Sequence, residues 1–286
     1  MMHRVSAVCA VLLGCAATER AVPPPAAVEV VERRPEQTLV LTVEASHALP
    51  DGAPAVVAHV AEGQRGGPAS AVIYLHGWEG CAAMVVATDA GPCTPGEPVQ
   101  PGWGIGALHG PAGVDVLVVP QLAYMARSSA AGRFDDPEFA RSWWSEVREQ
   151  LQRDAGVELG QVTVAAHSGG YRTLQAMLEA DLDGVGSAVL LDALYGGSDR
   201  VAAWATGAPG RRVVSVHTAN RDTTGQSRDL ADRVRDALGE QTVGVDPVDL
   251  GEAVRTRTAV IVRTDVGHGE VPRVFLGSIL EGLRGG

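Results

Sequence analysis

Ser168 ends the run Val162-Thr-Val-Ala-Ala-His-Ser168-Gly-Gly170, and Tyr171-Arg-Thr-Leu-Gln-Ala-Met-Leu-Glu179 follows at once. The first run has the β-branched, apolar character of a buried strand, and the second carries apolar residues at Leu174, Met177 and Leu178, the spacing of a helix face. A strand that reverses this abruptly into a helix pushes its turn residue into a strained conformation with the side chain exposed. Such a turn tolerates only small residues on either side, and Ala166 and Gly170 meet that demand. Gly169 frees an N–H at the start of the helix to face an anion. A hydroxyl presented in this way suits nucleophilic attack. The plainer alternative is a glycine-rich turn whose serine only caps the helix. Other groups able to do chemistry follow in order: Asp192 at the end of Leu190-Leu191, Asp222 in Thr218-Ala-Asn-Arg-Asp222, Asp265, and His268 between Gly267 and Gly269. His76, His167 and His217 are further histidines that could serve as a base.

The elements that must position these groups are legible from periodicity. Thr38 to Val43 and Ala55 to Val60 read as strands joined through the turn Pro50-Asp-Gly52, an antiparallel pair at a sheet edge. Ala71 to Leu75, Val114 to Pro120, Val185 to Leu191, Arg212 to His217 and Thr258 to Val262 read as buried strands. Glu138 to Arg153 is an amphipathic helix with Phe139, Trp143, Val147 and Leu151 along one face and Pro137 near its start. Short helices are expected around 104–109 and 201–205, and longer ones from Ser227 to Leu238 and from Pro272 through Leu283. Trp78 to Gly113 is rich in Gly, Pro and Cys and reads as a long functional loop. Apolar strands alternating with helices after an antiparallel start predict an α/β fold. Its mostly parallel central sheet carries helices on both faces, and the strand C-termini share one ligand-binding edge.

The chain has 286 residues, enough for one substantial domain. Its net charge of −11 argues against a nucleic-acid partner. It contains no lysine, so Schiff-base chemistry and a P-loop lysine are excluded. Met1-Met-His-Arg4 and the apolar Val5 to Leu13 read as a signal segment. Leu12-Leu-Gly-Cys15 resembles a lipobox, which predicts a signal peptide over 1–14 and lipidation at Cys15. Residues 15–36, with Val22-Pro-Pro-Pro25, read as a tether and 37–286 as the folded domain. Cys81 and Cys93 are then the remaining cysteines after Cys9 is removed and Cys15 modified, and they read as a disulfide formed in an oxidising compartment. No segment after the N-terminus approaches the length of a spanning helix, so membrane attachment is expected only through the lipid at Cys15.

The serine turn, the order Ser168, Asp192, His268 and the His76-Gly77 pair after an earlier strand together resemble the α/β-hydrolase family, over about Thr38 to Leu283. That resemblance implies Ser168 as nucleophile and His268 as base, with no cofactor and no metal. It places an oxyanion site at the backbone of Gly169 and of the Gly77-Trp78 segment, with Trp78 itself against the acyl group. The expected acid is Asp192, with Asp222 as the alternative and Asp265, or no acid at all, as the remaining readings. Asp222 holds the usual family position, but it sits among polar residues as in an exposed loop. Asp192 ends an apolar run where a charge needs a partner. Arg127 and Arg172 lie where they could meet an anionic substrate. The expectation is an exported serine hydrolase of the cell envelope, lipid-anchored at Cys15, acting on an ester, thioester or amide of a small molecule, peptide or lipid. The alternative is a non-catalytic envelope lipoprotein that uses the same fold for binding or assembly.

Overall fold

Val72 and Tyr74 face one side of the central strand Ala69–Leu75, while Ala71, Ile73 and Leu75 face the other, and all five are buried. This two-sided burial governs the architecture. The structure is a computed structural model that describes residues 33–64, 68–109, 112–239, 242–245 and 249–285. In chain order its strands are β1 (Arg33–Arg34), β2 (Gln37–Leu41), β3 (Val56–Val60), β4 (Gly63–Gln64), β5 (Ala69–Leu75), β6 (Gly91–Pro92), β7 (Val99–Gln100), β8 (Val116–Pro120), β9 (Leu159–His167), β10 (Val185–Leu191), β11 (Arg212–His217), β12 (Thr242–Val245) and β13 (Ala259–Arg263). The helices are α1 (Ala82–Val86), α2 (Gly106–His109), α3 (Pro137–Ala155), α4 (Tyr171–Glu179), α5 (Ser198–Gly207), α6 (Arg221–Leu238), α7 (Leu250–Thr256) and α8 (Val271–Arg284).

Nine strands form one sheet in the order β12-β13-β11-β10-β9-β5-β8-β3-β2 among the described residues. From β12 to β8 all neighbours pair in parallel, while β3 runs antiparallel to both β8 and β2. One face packs Phe134, Trp143, Trp144, Val147 and Leu151 around α3, and Leu174 and Met177 of α4, against the sheet. The other packs Ile105 and Leu250 with Phe275, Ile279 and Leu283 of α8. The predicted mostly parallel sheet with an antiparallel start and helices on both faces is the observed fold.

Several boundaries differ from the sequence-based expectations. Helix α6 begins at Arg221 rather than Ser227. The Asn220 side chain caps it, accepting from the Asp222 N–H at 3.0 Å. Thr223, Thr224 and Gly225 have weak helix propensity and hide that first turn. Asp222 therefore stands in a helix turn, not a loop. Strand β12 and helix α7 went unforeseen because a four-residue strand and a seven-residue helix carry too few apolar positions to show a period. Arg33–Arg34 pairs with Gly63–Gln64, so the end of the expected tether is strand. The expected signal peptide 1–14, Cys15 and the tether up to residue 32 lie outside the described residues.

Within the loop after β5, Cys81 and Cys93 form a disulfide with an S–S distance of 2.05 Å. It joins the residue capping α1 to the β6–β7 hairpin and packs with Met84, Ala87, Tyr124 and Met125. A loop of this size stabilises the fold by about 3 kcal/mol in the chain-entropy model. The Cys81→Ser, Cys93→Ser double variant is expected to lose about that much in a denaturant titration. An unmoved midpoint would mean that the bridge only staples a surface excursion.

Candidate active site

Three turns at the C-terminal edge of the sheet bring the functional side chains together. The first is the reversal from β9 into α4, where Ser168 adopts φ 50°. That left-handed conformation is costly for a residue with a Cβ and holds only where neighbours over-determine it. Here they do so. A Cβ on Gly170 would lie 2.5 Å from the Leu75 carbonyl oxygen, and one on Gly77 would lie 2.9 Å from the Ser168 Cβ. One on Gly169 would lie 2.4 Å from the Trp78 ring. Glycine at these positions lets the loop after β5 close against the serine. Gly170 thus meets the demand for a small residue at this turn, and Gly77 and Gly169 extend that close approach across the sheet.

The second turn follows β10. Asp192 also has positive φ, 46°, and is fully buried. Its carboxylate accepts from Thr218 N–H at 3.0 Å, Thr218 Oγ1 at 2.8 Å, Thr223 Oγ1 at 2.8 Å and His268 Nδ1 at 2.7 Å. Burial by itself raises a carboxylate pKa, but the bonds from His268, Thr218 and Thr223 outweigh it and hold Asp192 well below the usual range. The group is an anion tied to the imidazole.

The third turn carries His268 in a short 3-10 segment before α8. With Nδ1 engaged by Asp192, its other nitrogen is left for the cleft. His167, one residue before the serine, lies against His268. Its Nε2–H donates to the His268 carbonyl at 3.1 Å, and the two rings are 4.7 Å apart at 34°. Burial, with the neighbouring His268 second, lowers the His167 pKa to about 4, so the ring is neutral. Its Nδ1 is buried with no hydrogen-bond partner among the described residues. His217 is tied to the Thr218 carbonyl and is not in the cleft.

His76 organises the loop opposite the serine. Leu122 N–H donates to its Nε2 at 3.1 Å, so Nδ1 carries the hydrogen and donates to the Gly77 carbonyl at 2.8 Å. A trans peptide sets its carbonyl and the following N–H in opposite directions. Pinning the Gly77 oxygen to His76 therefore turns the Trp78 N–H away from that ring. Gln121 locks the same loop, donating to the Gly80 carbonyl and accepting from Ala82 N–H at 2.8 Å. Neither Gln121 nor its bond to His76 was legible from sequence, since a glutamine after a strand carries no signal of its own.

The resulting cleft, about 480 Å³, is lined by Trp78, Ser129, Ser168, Gly169, Tyr171, Tyr195, Asp222 and His268. Trp78 is 49% exposed, its Nε1–H held by Ser129 Oγ at 2.9 Å. The Tyr171 and Tyr195 rings lie 5.9 Å apart. The site is open on this side, since α5, the only helix between Asp192 and β11, packs on α4 and α6. Asp222 lines the cleft, but the carboxylate bonded to His268 is that of Asp192. Arg127 pairs with Glu79 and Arg172 with Asp135, and neither lines the cleft. Ser129, Tyr171 and Tyr195 escaped the sequence reading because isolated hydroxyl and aromatic residues do not announce a pocket wall.

Solved structures share this fold. A feruloyl esterase module of Clostridium thermocellum aligns with TM-score 0.53 at 10% identity, covering 88% of this chain and 87% of that one. A ferulic acid esterase aligns with TM-score 0.56 at 9% identity, covering 87% and 98%. The fluorophosphonate-binding serine hydrolase F of Staphylococcus aureus, substrate bound, aligns with TM-score 0.53 at 12% identity, covering 87% and 99%. Similarity at this level of identity establishes the α/β-hydrolase fold. No protein-family model matches the sequence, and no curated protein matches it.

The buried imidazoles make the fold sensitive to acid. Burial lowers both His76 and His167 from 6.5 to about 4. Between those values the unfolded chain takes up protons that the folded chain refuses, so stability falls as pH drops through that window. Asp192 acts lower: its contribution is present above the ordinary carboxylate pKa and is lost in stronger acid. Urea unfolding is expected to show a lower midpoint at about pH 4.5 than at about pH 7, and His167→Gln to flatten that difference by about one proton. A midpoint independent of pH would contradict neutral buried imidazoles.

Proposed function

We propose that the chain is a serine hydrolase that cleaves a carboxylic ester, or a related thioester or amide, through an acyl-enzyme on Ser168. The observation that carries this reading is the 2.7 Å bond from His268 Nδ1 to a fully buried Asp192, beside a serine held at positive φ in the same cleft. In this mechanism Ser168 Oγ attacks the substrate carbonyl carbon while His268 Nε2 takes its proton. Asp192 keeps the imidazole oriented and stabilises the imidazolium that forms. The N–H groups of Gly169 and Trp78 receive the oxyanion, an interaction worth roughly 3–4 kcal/mol per donor. Collapse of the tetrahedral intermediate breaks the bond to the leaving group, which leaves with the proton from His268. Water, activated by the same imidazole, then attacks the acyl-serine and releases the acid. The rings of Trp78, Tyr171 and Tyr195 favour a flat or apolar moiety beside the scissile bond.

The reading is tested with a fluorophosphonate probe and a panel of aryl and alkyl esters. The wild type should label and turn over, and Ser168→Ala should do neither. Asp192→Asn is expected to lower kcat by about 10⁴-fold, as removal of the buried acid does in comparable triads. Asp222→Asn should retain most of its turnover. No labelling of folded wild type would favour a binding role for the same fold, and collapse of Asp222→Asn alone would move the acid to that residue.

We also propose that the protein is exported and anchored by lipid at Cys15. The lipobox-like Leu12-Leu-Gly-Cys15 and the Cys81–Cys93 disulfide, a bond suited to an oxidising compartment, support this. Fractionation of expressing cells should find the chain in the membrane, with Cys15→Ser shifting it to the soluble fraction. Equal distribution of the two forms would rule the anchor out.

A further inference from the structure

We propose that Arg221, Arg228 and Arg263 form a binding site for a multiply charged tetrahedral oxyanion, a phosphate or sulfate group, beside but separate from the Ser168 cleft. The three side chains line one depression of about 480 Å³ together with Ala219, Thr224 and Gly225. It shares no lining residue with the cleft that contains Ser168. Arg221, Thr224 and Arg228 follow one another at i, i+3 and i+7, so they share a face of α6, while Arg263 ends β13.

Among the described residues, the lack of carboxylate partners distinguishes this cluster from most of the other arginines. Acidic residues outnumber basic ones 34 to 23 in this chain. Eleven other arginines each have an Asp or Glu oxygen within 4.0 Å. Arg141 and Arg212 donate to backbone carbonyls instead. Among the described residues the guanidinium groups of Arg221, Arg228 and Arg263 have neither kind of partner. Three like charges lining one depression repel one another, and the positive end of the 18-residue helix α6 adds to the same field. A single carboxylate would leave that field largely uncompensated, whereas the planar guanidinium fork matches the oxygens of a phosphate or sulfate. Thr224 Oγ1 spends its hydrogen on the Thr218 carbonyl at 3.1 Å, so recognition falls to the arginines.

The ligand's charged group could belong to a soluble phosphorylated or sulfated molecule or to an anionic lipid headgroup, and the test separates them. The purified chain and its Arg228→Gln, Arg263→Gln double variant are titrated with inorganic phosphate and with sulfate, against chloride at equal ionic strength, by calorimetry and thermal shift. Saturable binding to the wild type that weakens at least about tenfold in the variant supports the site, the loss of one charge-assisted bond sufficing for that change. Equal affinity in both, or no effect beyond that of chloride, overturns it. Labelling of Ser168 by a fluorophosphonate reports that the variant is folded and does not depend on the arginines. In a parallel arm both proteins are sedimented with vesicles of phosphatidylcholine with and without phosphatidylglycerol. A wild-type excess on the anionic vesicles that phosphate displaces identifies a headgroup, and binding of phosphate without that excess identifies a soluble ligand.

Discussion

A carboxylate with no access to solvent lies at the junction of three chain segments, and the site depends on how its charge is satisfied. Removing the Asp192 anion from water is expensive, and an unpaired buried charge would be excluded or protonated. Two hydroxyls, one backbone N–H and one imidazole meet it instead. Each donor comes from an element distant in sequence. Thr218 follows β11, Thr223 lies in the first turn of α6, and His268 precedes α8. Satisfying one anion therefore sets the relative positions of three loops, which then open onto one cleft.

The same logic recurs on the opposite wall. His76 is buried and neutral, and its single hydrogen is committed to the Gly77 carbonyl. Gln121 meets its other side and ties the start of α1 to the loop. Backbone groups of the loop are thus oriented by buried side chains rather than by regular secondary structure. The disulfide adds a covalent constraint a few residues further along. Glycines at 77, 169 and 170 let these segments approach more closely than any side chain would permit.

Strain and polarity concentrate at this edge, while the rest of the sheet is ordinary close-packed apolar structure. Ser168 and Asp192 both hold positive φ at strand ends, Ser168 under the close approach of Gly77 and Asp192 through a backbone hydrogen bond to the next strand. Asp192 N–H donates to the Val216 carbonyl at 2.7 Å. The parallel strands supply a rigid frame whose stability offsets the cost of these conformations. The segment from Thr218 to Thr224, which enters α6, has two aspects. Thr218 and Thr223 hold the buried acid, while Ala219, Arg221 and Thr224 face the arginine depression.

Properties encoded by local pattern were legible in the sequence. The alternation of apolar strands with helices implied the layered α/β architecture, because burial on both faces leaves a continuous apolar signature. The small residues around Ser168 implied the tight reversal, because steric exclusion acts within a few residues. The two cysteines implied their bridge. The acid was harder: Asp192 and Asp222 could be ranked by the polarity of their neighbours, but which one meets His268 depends on sheet order and on where α6 begins. That start was hidden because capping by Asn220 overrode weak helix propensity. The contacts of His167 with His268, the Gln121 lock, the aromatic walls and the unpartnered arginines were beyond sequence reading for one physical reason. Each is a meeting of side chains from segments tens of residues apart, made by the packing of β5, β8, β9, β10, β11 and β13 and their crossovers, and no local pattern records such a meeting.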